Sequence, residues 1–269
     1  MNIDPQFEPK QTDNQAISEG DDTRRGGSRI ISRVLPPAIR LWLQSQVERV
    51  EHLQFVIEGR DRQILSGHIP GLAIAAAGVI YQGLYLSQVD LNATGIRINL
   101  GQILRGKPLR LKQSFPVNGK ISLNEADLNA SLRSPLLLGG LRDFLTRLSH
   151  AATPPPTLQE LIHYLNQNPE AEIQATMAFA TQHIDLHLTP PQSEPSAFTP
   201  LQIQTGLAIQ AGRYLKLVNP VLRENELPPT QQVDALKDFR LDLGTEVEIQ
   251  TLAIADQCLI CHGIITVIP

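Results

Sequence analysis

The sequence predicts an α+β fold, and three observations carry that reading. Hydrophobic periodicity runs helical, then strand-like, then helical, then strand-like again along the chain. The 20 prolines and 18 glycines divide 269 residues into short segments, more like a sheet protein than a helical bundle. Hydrophobic residues make up 42% and aromatics only 4%, so a water-soluble globular chain must build its core from Leu, Ile, Val and Ala.

Residues 1–27 read as a disordered acidic tail, with the folded domain over 28–269. Within residues 1–23, Asp4, Glu8, Asp13, Glu19, Asp21 and Asp22 stand against Lys10, and the rest of the chain is close to neutral. Order is expected from Ser28, a suitable N-cap. Beyond it Ile31, Leu35, Ala38, Ile39 and Trp42 form one helical stripe, which Pro36 and Pro37 should kink or split. Arg25, Arg29, Arg33 and Arg40 flank that stripe within one quadrant. The pairing suits an anionic membrane surface, and it equally describes a docked helix with a solvated arginine face.

From Leu53 to Leu100 the period becomes that of strands. No Asp, Glu, Lys or Arg occurs from Gln63 to Val89, and the apolar run Ile69–Leu86 approaches transmembrane length. Pro70, Gly71, Gly78, Gln82 and Gly83 interrupt it, so two buried strands turning near Tyr81–Gly83 explain it better. The alternation slips near Ser87-Gln88, where a bulge would let the sheet curve strongly. A second helical region opens with the polar capping run of Ile121–Leu132 and continues after Ser134, with Pro135 in a first turn and Leu137, Leu141, Phe144, Leu145 and Leu148 as its stripe. Ala151–Thr157 is a proline-rich linker before a short helix over Leu158–Gln167. The C-terminal third reads as an antiparallel meander of strands.

Cys258, Cys261 and His262 have the spacing of a covalent haem site. Their flanks read as a hairpin turning at Asp256-Gln257. On a strand, residues three apart point to opposite faces with Cα atoms roughly 10 Å apart, beyond disulfide reach. No haem is therefore expected, and the cysteines read as buried and inert. His183, Asp185 and His187 share one strand face and could hold a metal. With no fourth ligand nearby they read instead as a polar strand face, and no metal is expected. No nucleophile elbow or phosphate loop occurs, so no catalytic residue and no cofactor is assigned. The near-neutral balance beyond the tail argues against nucleic acid as a partner. The N-terminus lacks the basic and apolar regions of a signal peptide, and a cytoplasmic place at the periphery of a membrane is expected.

Three stretches, Ile64–Leu100, Pro116–Leu137 and Val247–Pro269, carry a family resemblance. The most specific piece is "LNEADLNASLRSPLL", and the last stretch contains "IADQCLICHG". Together they resemble the LmeA family of phospholipid-binding proteins from Ser28 to Pro269. That family usually closes its last hairpin with Asp-Gly, where Gln257 stands here. The resemblance implies a fold like the tubular lipid-binding, BPI-like superfamily, with a highly curved antiparallel sheet wrapped around a long helix. It also implies non-enzymatic phospholipid binding or transfer at a membrane surface; secreted actinobacterial members take part in cell-envelope glycolipid assembly.

The acyl chains are then expected in an apolar groove between sheet and helices, lined by Leu137, Leu141, Phe144, Leu145, Leu148, Ile74 and Ala76. Ala73, Ala75, Ala77, Gly78 and Gly83 would leave volume beside them. Arg25, Arg29, Arg33 and Arg40 would meet headgroups or an anionic membrane surface. The rival expectation is a structural or scaffold protein whose dry core supports binding of a protein partner.

Overall fold

A computed structural model describes residues 22–149, 156–168, 173–223, 231–232, 236, 238–255 and 257–269. The chain begins with α1 (Asp22–Ser45), β1 (Arg49–Glu58), α2 (Asp61–Leu65), β2 (His68–Tyr81), β3 (Leu84–Arg97), α3 (Leu100–Ile103) and β4 (Phe115–Asn124). There follow α4 (Glu125–Ser131), α5 (Pro135–Ser149), α6 (Pro156–Gln167), β5 (Gln174–Ala180), β6 (His183–Thr189), β7 (Leu201–Gln210) and β8 (Tyr214–Arg223). The last strands are β9 (Gln231–Gln232), β10 (Arg240–Asp242), β11 (Val247–Ala255) and β12 (Cys258–Val267).

The fold is α+β, as expected, with antiparallel strands in two sheets. The first has the order β1-β2-β3-β4-β12-β11 and curls as a half-barrel. The second runs β10-β8-β7-β6-β5, with β9 paired to β8. The long hairpin expected from the uncharged run is β2–β3, turning at Gln82-Gly83.

Helix α1 lies on the first sheet. Leu35 and Ile39 are fully buried, and Trp42 packs beside them against a cluster that includes Leu72, Ala93 and Val117. Burying each aliphatic side chain contributes about 1.5–3 kcal/mol. That packing holds the helix continuous through Pro36 and Pro37, which do not split it. The helix opens at Asp22, ahead of Ser28; residues 1–21 of the acidic tail lie outside the described residues.

Two further expectations are corrected. The pairing of β2 with β3, and of β3 with β4, keeps a single register past Ser87, so no bulge exists there. Ser87 broke the hydrophobic alternation because its hydroxyl donates to Asp127 (2.5 Å) and accepts from the Asn124 amide (2.8 Å). The bulge of this sheet lies instead in β11, between Ile249 and Thr251. The C-terminal strands also do not form one meander. β11 and β12 leave the second sheet, and β12 pairs with β4 from Phe115 to Asn124.

Helix α4 clasps the two sheets together. Asn124 caps it by accepting from the Asp127 amide at 2.8 Å. Ser131, fully buried, accepts from the Tyr85 amide of β3 at 2.7 Å. On the opposite side Asn129 behaves like one more strand residue toward the edge strand β5. Its Oδ1 accepts from the Met177 amide and its Nδ2 donates to the Met177 carbonyl, both at 2.7 Å. Glu125 accepts from the Phe179 amide at 3.0 Å. An edge that would otherwise present free backbone groups is thereby paired with side chains.

A second joint lies at the β7–β8 turn. The Ile249 amide donates to the Gly212 carbonyl at 2.6 Å, and the Leu243 amide to the Arg213 carbonyl at 2.9 Å. Arg213 pairs with Asp242 there and holds its carboxyl below the usual carboxylate range.

Replacing Asn129 with Ala leaves both Met177 backbone groups without partners, and urea unfolding should register a loss of about 2 kcal/mol. An unchanged midpoint would show that α4 does not clasp β5. Gln257 closes the last hairpin at φ 60, a conformation disfavoured for side chains. Gln257→Gly should therefore raise stability by about 0.5–1 kcal/mol in the same assay.

Candidate functional site: the inner surface of the curled sheet

Directly opposed residues of antiparallel strands share a face, so the registers define rows across the first sheet. One row runs Leu53–Ala76–Val89–Ile121–Cys261–Leu252. The next, two residues along each strand and three along β11 across its bulge, runs Phe55–Ile74–Leu91–Gly119–Gly263–Ile249. A third joins Ile57, Leu72, Ala93, Val117, Ile265 and Val247. These rows are apolar from edge to edge. The opposite face reads Gln54–Ala75–Asp90–Lys120–His262–Thr251 and is largely polar. The face beneath α1 is thus the inner one.

Gly119 and Gly263 sit side by side in the second row. A Cβ on Gly119 would lie 2.8 Å from Leu91 Cδ2, and one on Gly263 would lie 2.6 Å from the Glu248 carbonyl. Leu91 folds over Gly119 and the β11 backbone closes against Gly263, so the space a side chain would take is already filled at both. The half-barrel curl makes a trough of the inner face, which β4 and β12 cross.

Helix α1 covers only part of this surface. Its cluster takes in Phe55, Ile57, Ile74, Leu91, Ala93 and Val117. Toward the other side Ile121, Leu123, Leu252, Ile254, Leu259 and Cys261 are each half-buried, and none packs into either buried cluster of the described residues. Sequence reasoning missed these residues. The alternation of "VEIQTLAIA" in β11 was the available signal, but it could not say which sheet that strand joins.

A cleft of about 390 Å³ adjoins the first row, bounded among others by Arg49, Glu51, Gly78, Tyr85, Ser87 and Asp127. Gly78 and Ser87 lie two residues beyond Ala76 and Val89 on the same strands. Arg49 is bonded to Glu51 at 2.9 Å. The apolar trough therefore ends in a polar mouth beneath α4.

The expected groove residues divide between two cores. Phe144 and Leu145 of α5 are buried, and Leu141 packs beside them, in a cluster with Leu158, Leu186 and Phe239 against the second sheet. Leu137 is half-buried, and the Leu148 side chain lies outside the described residues. Ile74 and Ala76 belong to the inner face of the first sheet, so α5 and these strand residues do not line one space. Ala73 and Ala75 alternate to the outer face, and Ala77 borders the polar cleft.

All four arginines of the expected membrane face lie on α1. Arg33 and Arg40 are exposed; the side chains of Arg25 and Arg29 lie outside the described residues. Arg40 sits over the Phe55 ring at 5.5 Å and donates to the Leu53 carbonyl at 3.4 Å, tying α1 to the edge strand. His183, Asp185 and His187 do share one face of β6, above buried Ile184, Leu186 and Leu188. His183 donates through Nδ1 to the Thr181 carbonyl at 2.9 Å, because a carbonyl only accepts, and its Nε2 receives the Gln204 amide.

Cys258 and Cys261 occupy opposite faces of β12, as the strand reading required, with Cys261 in the first inner row. Burial pushes the Cys261 thiol up.

The family model for LmeA-like phospholipid-binding proteins matches residues 26–264. No curated protein and no solved structure matches the chain. No helix among the described residues is long and apolar enough to cross a membrane.

The position of Cys261 is open to direct measurement. In a Cys258→Ser protein, alkylation should be half-maximal above pH 9.0, the ordinary thiol value. Unfolding in urea should bring that midpoint down, since exposure restores solvation of the thiolate. A midpoint unmoved by unfolding would place the thiol in open water.

Proposed function

Since the chain belongs to the LmeA-like phospholipid-binding family, matched over nearly its whole length, we propose that it is a non-enzymatic phospholipid carrier that works peripherally at a membrane. The acyl chains lie in the trough of the curled sheet, over Ile121, Leu252 and Cys261, beside α1. One observation carries this reading: an apolar face six strands wide of which α1 covers only part. The expected α5 stripe is replaced as the lining, because Leu141, Phe144 and Leu145 of that stripe pack into the second core.

Magnitudes support the assignment. Each buried methylene contributes about 0.8 kcal/mol, so about ten of them offer roughly 8 kcal/mol, the free energy of micromolar binding. The polar cleft at the end of the first row suits a headgroup, with Arg49 and Tyr85 at its rim. Arg33, exposed on α1, faces solvent where a charged lipid surface could meet it.

Native mass spectrometry after gentle purification tests the reading. The wild-type chain should carry phospholipid, and a bare chain would favour a scaffold with a dry core. Ile121→Arg and Leu252→Arg should each lose the lipid with little change in unfolding midpoint, because both positions are half-exposed. Leu141→Arg should instead destabilise the fold by several kcal/mol, about 3 or more, through its contact with the second core. Bound phospholipid should also slow alkylation of Cys261, and equal rates with and without lipid would remove the trough from consideration.

A further inference from the structure

The end of the first sheet farthest from α4 has a composition unlike the rest of the chain. From Arg97 to Lys112 it carries Arg97, Arg105, Lys107, Arg110 and Lys112 and no acid, and all five are exposed. Arg60 and Arg62 join them from the neighbouring α2, with Asp61 and Glu58 as the nearby acids. The two segments are bonded together: the Ile98 amide donates to the Gly67 carbonyl at 2.9 Å, and His68 pairs with Arg97. Among the described residues none of these bases has an ion-pair partner.

The tip is rigid. Buried Asn99 accepts from the Arg110 amide at 2.7 Å and donates to the Pro108 carbonyl at 3.0 Å. Ile64, Ile103 and Leu109 turn inward into the α1 cluster. Their neighbours Leu65 and Leu104 turn outward, 48% and 44% exposed, among the bases. Folding does not need those two leucines outside, because the inward residues already fill the core.

We infer that this tip is the surface by which the protein docks on an anionic phospholipid bilayer. The bases meet headgroup phosphates, and Leu65 and Leu104 enter the boundary with the acyl chains. The charge selects an anionic partner, and exposed leucines between the bases select a bilayer over a nucleic acid, whose backbone offers them nothing apolar. The inference rests on the phospholipid reading for its partner but uses different residues. From Val89 in the trough to Arg97 at the tip is roughly 26 Å along β3.

The test is flotation of the full chain with phosphatidylcholine vesicles, with and without phosphatidylserine. Binding is expected to the anionic vesicles and to fall as salt is raised. Lys107→Glu with Arg110→Glu should weaken it by about 25-fold or more, at about fivefold per base. Leu104→Glu should weaken it also, at an unchanged unfolding midpoint. These variants should still carry phospholipid in native mass spectrometry, which separates docking from the trough. Ile121→Arg should show the reverse, docking without retained lipid. Equal binding to both vesicle types, indifference to the tip substitutions, or tighter binding of the wild type to duplex RNA than to anionic vesicles overturns the inference.

Discussion

The structure turns on one mismatch of area: an apolar sheet face six strands wide and a single helix laid across it. Apolar surface left in water is unfavourable in proportion to its extent, and α1 buries only the portion around Leu72, Ala93 and Val117. What remains, along Ile121, Cys261 and Leu252, stays half-exposed. A protein with no further use for that face would have no reason to keep it apolar in every strand.

The clasp of α4 makes such a partly filled sheet tolerable. Asn129 and Glu125 hold β5, while Asp127 and Ser131 hold β3, so one short helix ties both sheets by hydrogen bonds, beside the buried Leu128. The second sheet then has its own closed core, formed by α5 and α6 over β6, β7 and β8. Stability and the open trough are separated in space. The tight core lies beneath α5, and the half-open surface lies across β4, β12 and β11.

Some of this was legible in the residues. The long hairpin followed from its lack of charge and its interrupting Pro and Gly residues, and the polar face of His183, Asp185 and His187 and the opposed cysteines followed from period-two alternation. The phase break at Ser87 was visible but its cause was not. A serine that interrupts an apolar strand signals either a bulge or a bonded polar group, and only the presence of Asp127 decides between them. The leucine stripe of α5 was equally visible, yet a stripe states only that a helix buries one face. It does not state against which sheet.

Local periodicity thus determined most of the elements, their amphipathic faces and the α+β class, because those depend on contacts within a few residues of one another; β4 escaped it, its last residues Ile121–Asn124 reading as the start of a helix. The tertiary structure alone decided that β12 returns to β4, that α5 covers the second sheet, and that the unfilled apolar rows lie on β4, β12 and β11. Those outcomes depend on which distant strands share an edge. An alternating strand looks the same in any sheet that buries one of its faces.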